Sequence, residues 1–217
     1  MRDVLTQLAF RGALRGRGGR DLALMGSQAC GWLVPRTKID PSWTCYTAGI
    51  GEDASFDVAL AEIGCEVVAI DPTPRAIEHM RPILVHHDNL KLAKYALWTQ
   101  DTTLEFFPPA NPDHVSHSLV NRQRTADPIA VDARTVATIA QEFGHPQVDL
   151  LKLDIEGAEY DVLQETDLSE LGVRVLCVEF HDDAGLRAMI AAVRGVCNRG
   201  YNLASVRRTD VTFVRSS

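Results

Sequence analysis

The sequence predicts an α/β chain built on a doubly wound, seven-stranded sheet, mostly parallel, with a C-terminal antiparallel hairpin. Three observations carry this. Apolar strand-like runs alternate with segments of helical periodicity from Thr44 to Asn198, the order that makes parallel βαβ units. The first such unit has a glycine turn, Gly49-Ile50-Gly51, and its second strand ends on the carboxylate Asp71, an arrangement that makes a nucleotide crevice. The last two strand-like runs, Tyr201 to Val206 and Val211 to Val214, are joined only by Arg207-Arg208-Thr209-Asp210, too short a link for a crossover helix.

Val4 to Leu14 suits a short helix, and the run Arg11 to Arg20, rich in Arg and Gly, reads as a flexible, solvated arm. Residues 1–40 are therefore expected to be a helix and basic lead-in, and 41–217 the folded domain. Thr44 to Ile50 suits a buried first strand. Ala54 to Ile63 places Phe56, Val58, Ala59, Leu60 and Ile63 at helical spacing, with Gly64 as the stop. Glu66 to Ile70 is a second strand, Arg75 to about Val85 a helix, and Leu90 to Leu97 a third strand. Residues 98–134, with Phe107-Pro108-Pro109 and Asn111-Pro112, are the least regular. A connection this long in a compact domain is more often functional than idle, so a lid or substrate loop is expected. Thr135 to Phe143 is helical, Val148 to Leu153 a strand, Glu156 to Gln164 a helix, Val173 to Phe180 a strand and Ala184 to Asn198 a helix.

With 217 residues, of which 46% are hydrophobic, one sizeable core is the default. The net charge of −7 is uneven: residues 1–40 hold seven Arg/Lys against three Asp, leaving −11 on the rest. An acidic body disfavours a nucleic-acid partner, which requires a basic groove. The five cysteines are scattered without a Cys-x-x-Cys pair, as in a reducing compartment. No apolar run approaches a membrane span and no signal-like segment opens the chain, so a soluble, cytoplasmic protein without a membrane partner is expected.

The glycine turn continues into Glu52 and Asp53. Unit charges about 4 Å apart repel by roughly 1 kcal/mol even in water and several-fold more near protein, so acids here oppose a pyrophosphate. They suit a phosphate-free nucleoside that carries positive charge, and S-adenosylmethionine, with its sulfonium and ammonium, has that description. Asp53 also fits a helix N-cap, and both roles can coexist. Asp71, closing an apolar strand before Pro72, fits a ribose acceptor. Trp98 either flanks an adenine ring or is core.

Asp154 and Glu156 follow an apolar strand, at the sheet edge where such folds bind ligands; Glu159 fits helix capping. Glu179 and His181 share one face at the end of the next strand, beside Asp154. Carboxylates with a histidine serve either as general base for a hydroxyl or as ligands of a divalent cation, with Asp154, Glu179 and His181 as the set. His181 could equally be a capping side chain.

Taken together, Gly49-Ile50-Gly51-Glu52-Asp53-x-Ser55-Phe56-Asp57, Asp71-Pro72-Thr73-Pro74, Val115-Ser116-His117-Ser118, Leu151 to Glu159 and Glu179-Phe180-His181 resemble the FkbM-type family of class I S-adenosylmethionine-dependent methyltransferases. The resemblance covers about residues 31–215. It implies a Rossmann-like sheet, S-adenosylmethionine as methyl donor, and a small-molecule hydroxyl, as in sugars or natural products, as acceptor. It places Gly49, Gly51 and Asp71 at the cofactor and Asp154 at the methyl-transfer site. His117 and Glu156 are candidate substrate contacts. Thr47 stands where an acid is usual, and Glu52 or Asp53 is expected to replace it. The competing readings are a nicotinamide-dependent oxidoreductase and a non-catalytic module that keeps the cofactor fold.

Overall fold

The computed structural model describes residues 10, 12, 14, 21–106, 129–181 and 184–216. The basic run to Arg20 and His117 lie outside the described residues, as does most of the Val4 to Leu14 helix. Of that helix Phe10 is described. It is fully buried and packs edge-on against Phe180, with ring centroids 6.4 Å apart.

The first elements are two short strands, β1 (Ala23–Met25) and β2 (Trp32–Val34), paired antiparallel. They were expected to be part of a loose lead-in. Instead Met25, Trp32 and Val34 are buried in the same cluster as Phe56 and Leu60, so the folded unit begins before residue 41. Its apolar residues fall in two short runs, Leu22 to Met25 and Trp32 to Val34, each too short to display a period.

The main units follow the expected order: β3 (Thr44–Ala48), α1 (Ser55–Ile63), β4 (Glu66–Ile70), α2 (Pro74–Leu84) and β5 (Leu90–Ala93). Gly64 ends α1 in the left-handed region at φ 112°, a conformation that favours glycine. Thr73 caps α2 by accepting from the N–H of Ala76, with Pro74 as the first helical residue. The expected third strand, Leu90 to Leu97, is broken. Its second part, β6 (Ala96–Leu97), leaves the main sheet and pairs with β8 (Ile129–Arg134), which also pairs antiparallel with β7 (Thr102–Phe106). Part of the segment expected to be irregular is therefore a small sheet. An apolar run cannot signal by itself that its two halves join different sheets.

After α3 (Val136–Phe143) come β9 (Leu150–Leu153), α4 (Glu159–Glu165), β10 (Val175–Glu179), α5 (Gly185–Asn198), β11 (Tyr201–Arg207) and β12 (Asp210–Arg215). The seven-stranded sheet has the order β11-β12-β10-β9-β3-β4-β5. The antiparallel strand is not at the sheet's end. The α5 crossover leaves a one-strand gap between β10 and β11, and β12 turns back into it, antiparallel to both. Arg208 makes that turn at φ 54°.

Strand alternation sends the two sides of the sheet into two cores. Tyr46, Val68, Leu151, Leu176 and Val178 face the cluster that contains α3 and α5 residues. Cys45, Val67, Leu150, Val175 and Cys177 face the cluster of α1, α2 and the β1–β2 pair. Among the described residues no helix is long and apolar enough to cross a membrane.

Trp32 tests whether residues 21–40 belong to the domain. Trp32→Ala is expected to cost about 3–5 kcal/mol in denaturant unfolding, the usual penalty for deleting a buried aromatic; a loss below about 1 kcal/mol would mean that the β1–β2 pair packs independently of the core.

Candidate active site

β3 delivers the chain to Gly49, whose φ is 83°. A Cβ there would stand 1.7 Å from the carbonyl oxygen of Asp154, so only glycine lets the loops after β3 and β9 touch. The Gly49 N–H donates to the Ile70 carbonyl at 3.0 Å, and the Asp154 N–H to that of Ala48 at 3.1 Å. The Gly49–Ile50 peptide is then held from both sides. Its carbonyl accepts from Lys152 Nζ. Its N–H donates to Asp71 Oδ2 at 3.0 Å, joined by the Gly51 N–H at 3.2 Å. Asp71 Oδ1 accepts from the N–H and hydroxyl of Thr73, at 2.9 and 2.6 Å. Each oxygen of this buried carboxylate thus accepts twice, which takes up most of its capacity. Asp71 stands at the crevice as expected, and in this structure it also closes the glycine loop.

The two acids of the loop have separate work. Glu52 is half exposed and faces Arg75 at 3.6 Å. Asp53 accepts from the Ser27 hydroxyl at 2.7 Å and from the Ser55 N–H at 2.9 Å, tying the β1–β2 turn to the start of α1. Burial pushes its carboxyl up, but the bonds from Ser55 and Ser27 outweigh this and hold it below the usual value. The acid that meets Thr47 is neither of these. The Thr47 hydroxyl donates to Asp57, on the first turn of α1 and 3% exposed. Burial raises the Asp57 carboxyl, opposed by Lys152 and Thr47. A signal for it was present: Asp57 shares the buried face of the helix with Leu60 and Ala61.

Lys152, a charged residue within the apolar strand β9, is 6% exposed. Its ammonium lies 3.2 Å from Asp154 Oδ2. Burial favours the neutral amine, but Asp154 and Asp57 hold it charged, above its ordinary value. One ligand-capable atom from each of Asp154, Glu179 and His181 lies within 4.8 Å of the others, so the predicted set does converge. Burial and then Asp154 and Asp210 push Glu179 up to about 8. Asp210 is the register partner of Glu179 across β10 and β12. Burial and Asp154 push it to about 6. Sequence reasoning missed it because only the insertion of β12 beside β10 brings it near.

His181 has a carboxylate at each ring nitrogen: Glu159 Oε1 at 2.8 Å from Nδ1 and Glu156 Oε2 at 3.4 Å from Nε2. Burial alone would lower its pKa, but Glu159, Glu156 and Glu179 prevail and push it up to about 10. An imidazolium has no lone pair to take a proton. Of the alternatives its sequence context leaves open, general base, metal ligand or capping side chain, the charged ring suits His181 least to the first and gives it an electrostatic part. Glu156 sits in a left-handed turn at φ 56°, so α4 begins only at Glu159 and not at Glu156. The fully buried Glu159 braces that turn by accepting from the N–H groups of Ile155 and Gly157, at 2.9 and 3.2 Å.

Gly49, Gly51, Glu52, Asp53, Asp71, Asp154, Glu156, Glu179 and His181 all line one cavity of about 630 Å³. Trp98 does not line it; it packs against the core and the small sheet, and Leu97 and Phe106 line the cavity there.

A parallel sheet with one inserted reversed strand and an acid-lined crevice at its carboxyl edge defines a Rossmann-like α/β domain, a class of fold in which ligands bind at that edge. More particularly, the chain belongs to the FkbM methyltransferase family, since the Methyltransferase FkbM domain matches residues 46–203. It is 29% identical over 141 residues to a protein of Rattus norvegicus called probable methyltransferase-like protein 24, covering 63% of this chain and 32% of the relative. The Homo sapiens protein of that name is 28% identical over the same length and coverage. The chain thus spans about a third of the length of the curated relatives it matches. Solved structures with similar folds include a putative rRNA methylase from Clostridium thermocellum, at TM-score 0.47 and 14% identity, over 82% of this chain and 88% of that one. The magnesium protoporphyrin IX methyltransferase of Synechocystis PCC 6803, solved with bound S-adenosylmethionine, has TM-score 0.45 and 14% identity, over 83% and 73%.

Asp71→Ala leaves the N–H groups of Ile50, Gly51 and Thr73 without their acceptor, and is expected to cost about 1–3 kcal/mol in chemical denaturation, together with loss of nucleoside affinity in calorimetry. The raised His181 pKa carries a pH dependence of defined sign. The folded state binds a proton that the unfolded state releases near 6.5, so the contribution is full below that pH and is lost as pH rises through about 10. NMR titration should show the His181 ring still protonated at about pH 8, well above the ordinary histidine range; a midpoint near the ordinary value would refute the charged assignment.

Proposed function

We propose that this domain transfers a methyl group from S-adenosylmethionine to a hydroxyl of a small molecule. The observation that supports this reading best is where the glycine loop spends its donors. A dinucleotide-binding loop offers its N–H groups to a pyrophosphate, whereas here those of Ile50 and Gly51 are given to Asp71. Seven acids, Glu52, Asp53, Asp57, Asp71, Asp154, Glu156 and Glu179, line the same cavity. A pyrophosphate would meet repulsion and few free donors, while a phosphate-free nucleoside with a sulfonium would be attracted. The nicotinamide reading is disfavoured on this ground.

Leu97, Phe106 and Ile155 supply apolar walls suited to a flat base. Asp71 can trade its bond to the Thr73 hydroxyl for one to a ribose hydroxyl and keep the loop closed, since its other bonds come from backbone N–H groups. S-adenosylmethionine, when bound, supplies a methyl group already activated by its sulfonium. The chain's own task is then to align an acceptor and receive its proton, and alignment supplies most of the acceleration in such reactions. With both ring nitrogens of His181 on carboxylates and Asp154 paired with Lys152, Glu179 is the group left to accept that proton, which it does once ionised, as pH rises through about 8. Asp154, Glu179 and His181 are also the residues that would hold a divalent cation if turnover depends on one; that requires His181 to release the proton on Nε2. The five free cysteines fit the expected cytoplasmic setting.

Calorimetry is the direct test: S-adenosylmethionine and its product should bind and NADH should not. Binding of NADH alone would replace this reading with the oxidoreductase one. On an acceptor found by screening, and above about pH 8 where Glu179 is ionised, Glu179→Gln should cut kcat by about a hundredfold or more, in the range general bases contribute. Donor binding with no turnover on any hydroxyl acceptor would favour the binding-module reading instead.

A further inference from the structure

We propose that Lys152 and Asp154, 3.2 Å apart, seat the amino-acid end of the methyl donor, the lysine taking the α-carboxylate and Asp154 the α-ammonium. This deepens the donor reading above and rests on it. It identifies the residue that makes the site select a ligand with a carboxylate.

The first support is the way Lys152 is buried. It is more than nine-tenths covered and still lines the cavity. An ammonium taken out of water costs several kcal/mol unless it is well paired, so its partners bear on its use. It has three N–H donors. One goes to the Gly49 carbonyl and one to Asp154 Oδ2. The third has no hydrogen-bond partner among the described residues. Asp57, itself 3% exposed and steadied by the Thr47 hydroxyl, approaches from α1 and lines the cavity too.

The second support is the charge around it. Lys152 is the sole Lys or Arg among the described residues that line the cavity, against seven acids. The other cation, His181, has a carboxylate at each ring nitrogen. A carboxylate that enters this cavity is repelled everywhere except beside Lys152. A zwitterion meets both halves of the Lys152–Asp154 pair, its carboxylate facing the lysine and its ammonium the aspartate.

The test is calorimetry with three ligands on wild type and on Lys152→Met. S-adenosylhomocysteine carries both charges of the amino-acid end, its decarboxylated aminopropyl analogue only the ammonium, and methylthioadenosine neither. Wild type should bind S-adenosylhomocysteine at least about tenfold more tightly than either truncated ligand, the scale of one hydrogen-bonded charge pair. In Lys152→Met that advantage over methylthioadenosine should vanish, whatever loss common to all three ligands the release of the Gly49 carbonyl brings. The aminopropyl analogue should gain on methylthioadenosine, because its ammonium no longer meets another. Equal losses for all three ligands would reduce Lys152 to a loop staple and overturn the proposal. If Lys152→Met does not fold, the wild-type series decides: S-adenosylhomocysteine binding no tighter than methylthioadenosine overturns it as well. Absence of all binding would instead remove the donor reading, and this inference with it.

Discussion

The site depends on one peptide group. The carbonyl of Gly49 is held by Lys152 and the N–H of Ile50 by Asp71. In a trans peptide these two groups point in opposite directions, so anchoring both fixes the plane between them. The anchors come from β9 and from the end of β4, the two strands that flank β3. One peptide therefore locks the carboxyl ends of three adjacent strands in register. It also decides what the loop can recognise, because its donors are turned onto a carboxylate of the protein itself. Glycine at 49 is the condition for this, since any side chain would collide with the Asp154 carbonyl.

From that clamp the electrostatics follows. Parallel strands that end side by side bring Asp71, Asp154 and Glu179 to one edge, and β12 adds Asp210 next to Glu179. Burial first, and then the crowding of acids at this edge, push Glu179 and Asp210 upward. Two cations relieve the crowding: Lys152, paired with Asp154, and His181, between Glu159 and Glu156. Near its lysine the cavity suits a zwitterion, and elsewhere it suits positive charge.

Much of this was legible in the chain. Strand and helix periodicities locate β3, α1, β4, α2, α3, β9 and β10 to within a few residues, because each buries one face or both against a continuous core. The glycine turn, Asp71, Asp154, Glu179 and His181 stand out as polar or flexible residues at the ends of apolar runs, and they do converge. What escaped were residues whose significance lies in a partner far along the chain. Lys152 within an apolar strand and Asp57 within a helix each look like an isolated exception until Gly49, Thr47 and Asp154 are seen around them. Trp98 follows the apolar run to its end, and a bend after Ala93 that no periodicity reveals takes it away from the cavity.

The sequence by itself determined the α/β alternation, the terminal hairpin and the type of site, since these follow from local periodicity, turn length and the chemistry of residues at strand ends. Only the tertiary structure decided the order of the strands, the place of β12 and the protonation of His181. Strand order depends on which edges remain open once the crossovers have packed, and a histidine's charge depends on carboxylates that neighbour it only in space. The same holds for the glycine loop: its spacing announces a nucleoside crevice, but the direction of its N–H groups is set by Asp71 and Lys152 from two other strands.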